Sequence, residues 1–271
     1  MESIEPIFQT GKYSDWRISV VVPAHNEAKN LPYVLPLIPD WIDEVILVND
    51  RSTDNTAEVA REILPTIRVV NTQHGRGKGG ALQVGFAAAT GDIIVMMDAD
   101  GSSDPREIPR FMEALLSGAY FAKGSRFISD GGSADITPLR RLGSRVLIGM
   151  ANRLFKTQST DMFCGLNAFW KDCLNFFEID CQGFDVEMLI HLRACKANLQ
   201  VVEVPSYEHQ RIHGTSNFLT VKDGWRVLRM IIQEWLNGRS VVRTARVPLP
   251  GQRETPAWDE LAAVKQIRVV R

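Results

Sequence analysis

Two carboxylates, Asp98 and Asp100, stand one residue apart directly after the apolar run Ile93 to Met97. Carboxylates at the tip of a buried strand are costly to desolvate unless a cation or hydrogen-bond donors satisfy them. Hard divalent ions take oxygen ligands of this kind, and Mg²⁺ or Mn²⁺ commonly shares them with substrate phosphates. A turn with helix-capping aspartates is the plain alternative for an isolated pair at this spacing. Three further polar segments stand in the same relation to an apolar run. In Val48-Asn49-Asp50-Arg51-Ser52-Thr53-Asp54, Asp50 sits where a carboxylate can accept hydrogen bonds from a nucleobase edge, whereas a helix cap accounts for Asp54. His74-Gly75-Arg76-Gly77-Lys78-Gly79-Gly80 brings two cations and closely approachable backbone to a helix start, a combination suited to a diphosphate. It lacks the Ser or Thr that follows Gly-Lys in a P-loop, and it follows the third apolar run, where a dinucleotide-binding fingerprint would follow the first. Pro23 to Glu27 completes the set.

These segments need a scaffold, and the first half of the chain supplies one by alternating short β-branched runs with longer amphipathic stretches. The pattern predicts repeated βα units and a mainly parallel sheet flanked by helices. Strands are expected at Arg17 to Val22, Glu44 to Val48, Ile67 to Val70 and Ile93 to Met97. Helices are expected at about Leu31 to Leu37, Thr56 to Leu64, Gly79 to Ala89 and from Pro105 to about Leu116, the second capped by Asp54 or Asn55. The carboxyl ends of parallel strands line one crevice, so the four polar segments should converge on a ligand. The second half is less regular. It offers strands near 120–123, 166–170 and 200–204, and helices near 139–155, 185–197 and 221–236. The last of these sets Val221, Trp225, Leu228, Ile232 and Trp235 at helical spacing beside basic residues, which suits either packing on the sheet or docking at a lipid interface. The proline-containing terminal segment reads as a polar tail.

The ordered set Val20-Val21-Val22-Pro23-Ala24-His25-Asn26-Glu27, Val48 to Asp54, Gly77-Lys78-Gly79-Gly80-Ala81-Leu82 and Met97-Asp98-Ala99-Asp100 resembles the motifs of family-two glycosyltransferases. The resemblance continues through Gly124-Ser125-Arg126-Phe127, Thr160-Asp161 with Cys164-Gly165, Phe184 to Glu187 and Arg211 to Asn217, and within the family it is nearest to the polyprenyl- and dolichyl-phosphate sugar transferases. It implies a GT-A fold, an α/β architecture whose one catalytic domain would span 17–237, with a nucleotide-sugar half at 17–126 and an acceptor half at 127–237. Residues 1–16 would be an extension and 238–271 a tail. It implies inverting transfer of a hexosyl group from a UDP- or GDP-sugar, with Mg²⁺ or Mn²⁺. By the same resemblance Pro23, His25, Glu27 and Asp50 would hold the nucleoside, Lys78 would lie near the nucleotide, and Asp98 and Asp100 would hold the metal and its diphosphate. Arg126, Arg211 and Ser216 would lie near phosphates. The mannosyl enzymes continue DAD with an aliphatic residue and Gln, where this chain has Gly101-Ser102-Ser103-Asp104-Pro105. The Phe-Asp-Val-Glu stretch looks more like the glucosyl branch.

The acceptor stays open between a polyprenyl phosphate and a hydroxyl of a small metabolite. Only a hydroxyl needs a general base, for which Asp185 is the first candidate and Glu187 and Asp161 are the alternatives; a first-turn aspartate is equally favoured by the helix dipole alone. A sugar-nucleotide-forming nucleotidyltransferase would also use a glycine-rich loop, a lysine and aspartates, but usually with the loop after the first strand.

Composition limits the field further. With 31 Lys plus Arg against 32 Asp plus Glu, no charge excess exists to release counterions from a nucleic acid. The apolar runs fall far short of the ~20 residues that cross a bilayer, so any membrane contact must be peripheral. Glu2 and Glu5 stand where a secretory signal would be basic, so the chain is expected to be unprocessed and cytoplasmic. The four cysteines form no CxxC pair and are expected to be buried free thiols; His209 and His213, flanked by Pro205 and Gly214, are expected in a loop.

Overall fold

The β-branched runs become strands where the pattern places them, and their order puts the polar segments together. The structure, a computed structural model, describes residues 13–73, 77–214, 220–238 and 268–270. β1 (Ile18–Ala24), β2 (Glu44–Asn49), β3 (Arg68–Asn71) and β4 (Ile93–Met96) are mutually parallel in the spatial order β3-β2-β1-β4. The sheet continues through β7 (Asn167–Trp170), antiparallel to β4, and then β5 (Phe121–Ser125) and β8 (Val201–Pro205), which are parallel to each other. β10 (Arg268–Val270) closes that edge antiparallel to β8, which makes eight strands. The reading of the terminal segment as a tail is corrected at these residues: a β-branched pair there finds an open sheet edge. A small two-stranded sheet joins β6 (Gly132–Ser133) to β9 (Tyr207–Glu208).

The helices deviate where proline intervenes. Pro32 sits in the first turn, where no amide donor is needed, but Pro36 removes the donor that would continue the helix, so the first helix is a single α turn, α1 (Leu31–Val34), followed by a 3₁₀ turn. Pro105 opens a 3₁₀ turn capped by Asp104, whose carboxylate accepts from the Arg106 amide, and α4 (Ile108–Leu116) follows it. Asn55 occupies the cap position of α2 (Thr56–Ile63) without a side-chain bond; the Thr56 amide is met by Asp54 instead, at 3.1 Å. α3 (Gly77–Ala88) lies on the sheet so closely that a Cβ on Gly85 would collide with Val21 and Val48.

The remaining helices are α5 (Pro138–Phe155), the short α6 (Leu174–Phe177), α7 (Val186–Lys196) and α8 (Thr220–Leu236). One apolar core spans the whole sheet, and a second is built by Ile148 and Ala151 of α5, Met188, Leu189 and Leu192 of α7, and Val227, Met230 and Ile231 of α8. Burying each large side chain contributes about 1.5–3 kcal/mol, so this cluster suffices to fix three helices against one another. Trp225, Ile232 and Trp235 point away from it and are 68%, 42% and 49% exposed. The periodicity had therefore picked out the outer face of α8, because a second, more deeply apolar stripe runs along the inner one. No helix among the described residues is long and apolar enough to cross a membrane. The four cysteines are free thiols, two of them fully buried.

Candidate functional site

The parallel strand tips open into one cleft of about 860 Å³, walled on the far side by α5 and α8. Pro23, His25, Glu27, Asp50, Lys78, Asp98, Asp100, Arg126 and Arg211 all line it. Asp185 does not, and Ser216 lies outside the described residues. His74 and Arg76 of the glycine-rich segment also lie outside them.

The loops after β1 and β2 are stitched together by short polar side chains. Asn26, in the left-handed region at φ 59°, accepts from the Thr53 amide at 2.7 Å through its side-chain oxygen and donates its own amide to Ser52 Oγ at 2.9 Å. His25 donates from Nδ1 to the Asp50 carbonyl at 2.7 Å, which fixes its tautomer. Thr72, just past β3, donates to the Asp50 carboxylate at 2.6 Å. Three strand ends thus share one hydrogen-bonded frame. Burial raises the Glu27 carboxyl, partly offset by Asn30, which donates to it at 2.5 Å.

The two aspartates after β4 are each paired with a cation. Lys78, in the first turn of α3, lies 2.5 Å from Asp98 and also contacts the buried Glu187 of α7. Burial pulls its ammonium down, but the two carboxylates overcome this and hold it charged. Asp98 fits because residue 165 is glycine; a Cβ there would strike its carboxylate. Arg211 lies 2.9 Å from Asp100, whose other oxygen accepts from the Ser102 amide at 2.9 Å. Burial and then Asp98 push the Asp100 carboxyl up, against Arg211 and Ser102. Gly101 turns the chain at φ 80° and leaves room for Ile212 against it.

At the α5 end, Arg126 is nearly used up. Its Nε and Nη2 donate to Asp161 at 2.6 and 3.1 Å, and Nη1 donates to both oxygens of Glu208 at 3.0 Å. Asp161 is itself positioned by the buried Glu203, which accepts from the Thr160 and Asp161 amides at 2.6 and 3.1 Å. Burial lowers the Lys123 ammonium beside this group, which donates to the Cys164 carbonyl at 2.7 Å. Asp185 occupies the cap position of α7 without a side-chain capping bond and is buried; its carboxyl is raised, chiefly by burial, and Oδ1 has no hydrogen-bond partner.

Glu208 and Arg140 also line the cleft and were not singled out from the sequence, where nothing in their spacing distinguishes them from ordinary surface charges; Arg226, expected only as a basic neighbour on the last helix, lines it too. Among the described lining residues seven carboxylates face six Lys or Arg side chains. The cleft therefore has no surplus of positive charge with which to hold a diphosphate alone. Asp98 and Asp100 fit a hard divalent ion, because two carboxylates on one turn with substrate oxygens completing the shell is a common arrangement for Mg²⁺ or Mn²⁺.

Comparison with known proteins identifies the family and the fold. Residues 19–176, more than half of the chain, match the model for glycosyl transferase family 2. Dolichol-phosphate mannosyltransferase of Pyrococcus furiosus is 31% identical over 74% of this chain and 58% of its own length. Undecaprenyl-phosphate mannosyltransferase of Micrococcus luteus is 30% identical over 70% of this chain and 82% of its own. Glycosyltransferase AglD of Haloferax volcanii is 31% identical, but the chain spans only 32% of it. Among solved structures, glucosyl-3-phosphoglycerate synthase of Mycobacterium tuberculosis, in complex with Mn²⁺, UDP and glucosyl-3-phosphoglycerate, superposes with a TM-score of 0.64 at 22% identity, over 86% of this chain and 85% of that one. The ordered strand-end loops and the matched family model together make the chain a member of glycosyl transferase family 2, an enzyme with the GT-A fold.

Proposed function

We propose that the chain moves a hexosyl group, with inversion, from a UDP- or GDP-sugar to a polyprenyl phosphate. The observation that carries the reading is the meeting of two unlike surfaces at one cleft. Its inner end holds the nucleoside-side loops and the Asp98–Asp100 pair. Its wall is α5 and α8, through Arg140, Ser144 and Leu147 on one and Gly224 and Arg226 on the other.

On their outer sides these helices expose Leu139, Leu142 and Val146, each above 60%, and Trp225, Ile232, Trp235 and Leu236. Exposed Arg141, Arg145, Arg153 and Arg229 accompany them, and α5 contains no acidic residue. A helix pair of that composition suits the boundary of an anionic bilayer, with arginines at the headgroups and apolar and indole side chains beneath. The relatives named for dolichol and undecaprenyl phosphate support the same acceptor.

Asp98 and Asp100 would hold Mg²⁺ or Mn²⁺, which supplies Lewis-acid stabilisation of the departing nucleoside diphosphate. His25, Glu27 and Asp50 would bind the nucleoside, and Lys78 and Arg211 would meet its phosphates. A phosphate acceptor is already an anion at pH 7 and attacks without losing a proton. This suits a site where Asp161 lies under Arg126, Glu187 is held by Lys78 and Asp185 does not line the cleft. A hydroxyl acceptor is the second reading, and the unpartnered Oδ1 of Asp185 favours it.

The test has two stages. UDP- and GDP-hexoses are incubated with the protein and Mn²⁺ without acceptor, and slow hydrolysis names the donor. Flotation with vesicles containing anionic phospholipid follows, for the native chain and for Leu142→Glu with Trp225→Glu. Salt-sensitive flotation, lost in the double variant while donor hydrolysis persists, is expected. No flotation at low salt, with transfer to a water-soluble hydroxyl instead, would refute the lipid acceptor.

A further inference from the structure

The carboxylates suited to a divalent ion already face protein cations, and the two cations are held very differently. Lys78 is anchored twice, by Asp98 and by Glu187, which is only 4% exposed. Among the described residues Arg211 forms an ion pair only with Asp100, at 2.9 Å, with Glu27 near enough to feel its charge, and its Nε is buried with no hydrogen-bond partner. A guanidinium presents five donors in a rigid fork, and one left buried and unmet is poised for another anion. Its backbone segment is strapped over the strand tips. The His209 amide donates to the Ser102 carbonyl at 2.9 Å, and His213 exchanges two hydrogen bonds with the Asn30 side chain. Arg211 can thus change partners without its loop leaving the cleft.

The metal side is incomplete in the same way. Among the described residues no group of three or more His, Cys, Asp or Glu is placed to hold an ion. Two carboxylates, one of them shared with a guanidinium, are a poor shell for an ion that takes about six oxygens. Bringing a divalent charge to Asp100 while Arg211 stays there sets like charges side by side.

We infer that Arg211 makes the divalent ion and the nucleoside diphosphate bind as one unit. It competes with the ion for Asp100 when no nucleotide is present, and it moves onto the diphosphate when one arrives. The inference rests on the donor reading above. Each ligand then supplies what the other lacks: the diphosphate gives oxygens to the ion and an anion to Arg211, and the ion gives a cleft otherwise balanced in charge the positive surplus that a diphosphate needs. Couplings of this kind are commonly about 5- to 150-fold in affinity, and they are reciprocal.

Electron paramagnetic resonance of free Mn²⁺ measures the coupling without any turnover. The whole chain is titrated with Mn²⁺ alone and with saturating UDP or GDP, for the native protein, Arg211→Gln and Arg211→Lys. The native chain should bind Mn²⁺ about tenfold or more tightly with the matching nucleotide. Arg211→Gln should bind Mn²⁺ alone about fivefold more tightly than the native chain, with the nucleotide's gain reduced by at least that factor, while Arg211→Lys retains most of the gain. Equal enhancement in the native chain and Arg211→Gln overturns the inference and leaves the donor reading standing. So does Mn²⁺ binding in Arg211→Gln that is no tighter than native when nucleotide is absent. No effect of either nucleotide on Mn²⁺ in the native chain overturns both.

Discussion

The strand-tip side of the cleft and its helical wall are built on opposite principles. At the tips, hydrogen bonds from Asn26, His25, Thr72 and Asn30 fix the loops, and every acidic or basic group of the Asp98–Asp100 turn has an internal partner of opposite sign. Behind and in the wall, α5, α7 and α8 are held chiefly by apolar packing, supplemented by Arg193 and Lys196 of α7 on Glu234 of α8, while exposed Arg141, Arg145 and Arg229 lie on the outer face among apolar side chains. The difference separates two kinds of vulnerability. A change at the tips should damage chemistry and spare the fold, because strand-tip carboxylates add little to the core. Changes to the inner layers should damage stability, and changes to the outer face of the wall should affect only what it meets.

The sharpest way to break this contrast is Asp100→Ala. Loss of a preorganised electrostatic group at a developing charge typically costs about 10² to 10³ in rate, and removal of a metal ligand belongs at the upper end. A loss of about 10³ in transfer with an unchanged melting temperature is expected, and chelation by EDTA should match it. A melting temperature that falls with activity would show that the tips carry the fold after all.

The acid limb of stability comes next and tests the packed interior. His191 of α7 is fully buried, its Nε2 2.5 Å from Ser159 Oγ, and burial pulls its imidazole down to about 3. The unfolded chain, titrating near 6.5, binds the proton that the folded one refuses. Stability is therefore lost as pH falls below about 6.5, by up to about 1.4 kcal/mol for each pH unit until the folded imidazole titrates. Urea denaturation at pH 7 and at pH 5 should show that loss in the native chain and a smaller one in His191→Gln.

Gly85→Ala forces a methyl between α3 and the sheet, against Val21 and Val48. Overpacking of this kind costs about 1–3 kcal/mol, or about 2–4 °C in Tm per kcal/mol for a domain of this size. Differential scanning calorimetry should record it with donor affinity unchanged. The smallest effect is expected at Asp185. With a phosphate acceptor Asp185→Asn should keep its rate within about threefold, whereas loss of a true general base costs about 10² to 10⁴. A loss of that size in single-turnover transfer would move the acceptor to the hydroxyl class.

Sequence reasoning succeeded on the tips for the same reason that they are robust. Asp50, Asp98 and Asp100 follow their strands closely and Lys78 opens the helix after β3, so the order of strands and helices brings all four to one crevice. The wall resisted reading. α8 carries two apolar stripes, one with Val227, Met230 and Ile231 and one with Trp225, Ile232 and Trp235, and helical periodicity cannot say which faces inward. The engagement of Arg126 was equally hidden, since Asp161 and Glu208 reach it from two separate stretches of chain and Glu203 acts only through the Asp161 amide. Asp185 shows the limit of position: it begins a helix beside the cleft, yet does not line it.

One reversed strand has a further consequence. Because β7 runs antiparallel between β4 and β5, the loop that feeds it arrives at the same end of the sheet as the strand tips. Asp161 in that loop clamps Arg126, and Gly165 a little further on makes room for Asp98. A single short stretch of backbone therefore runs from the Arg126 clamp to the aspartate turn. The distance between the Arg126 clamp and the aspartate turn is spanned by residues 161–165, and adding or deleting one residue there is expected to shift the two against each other.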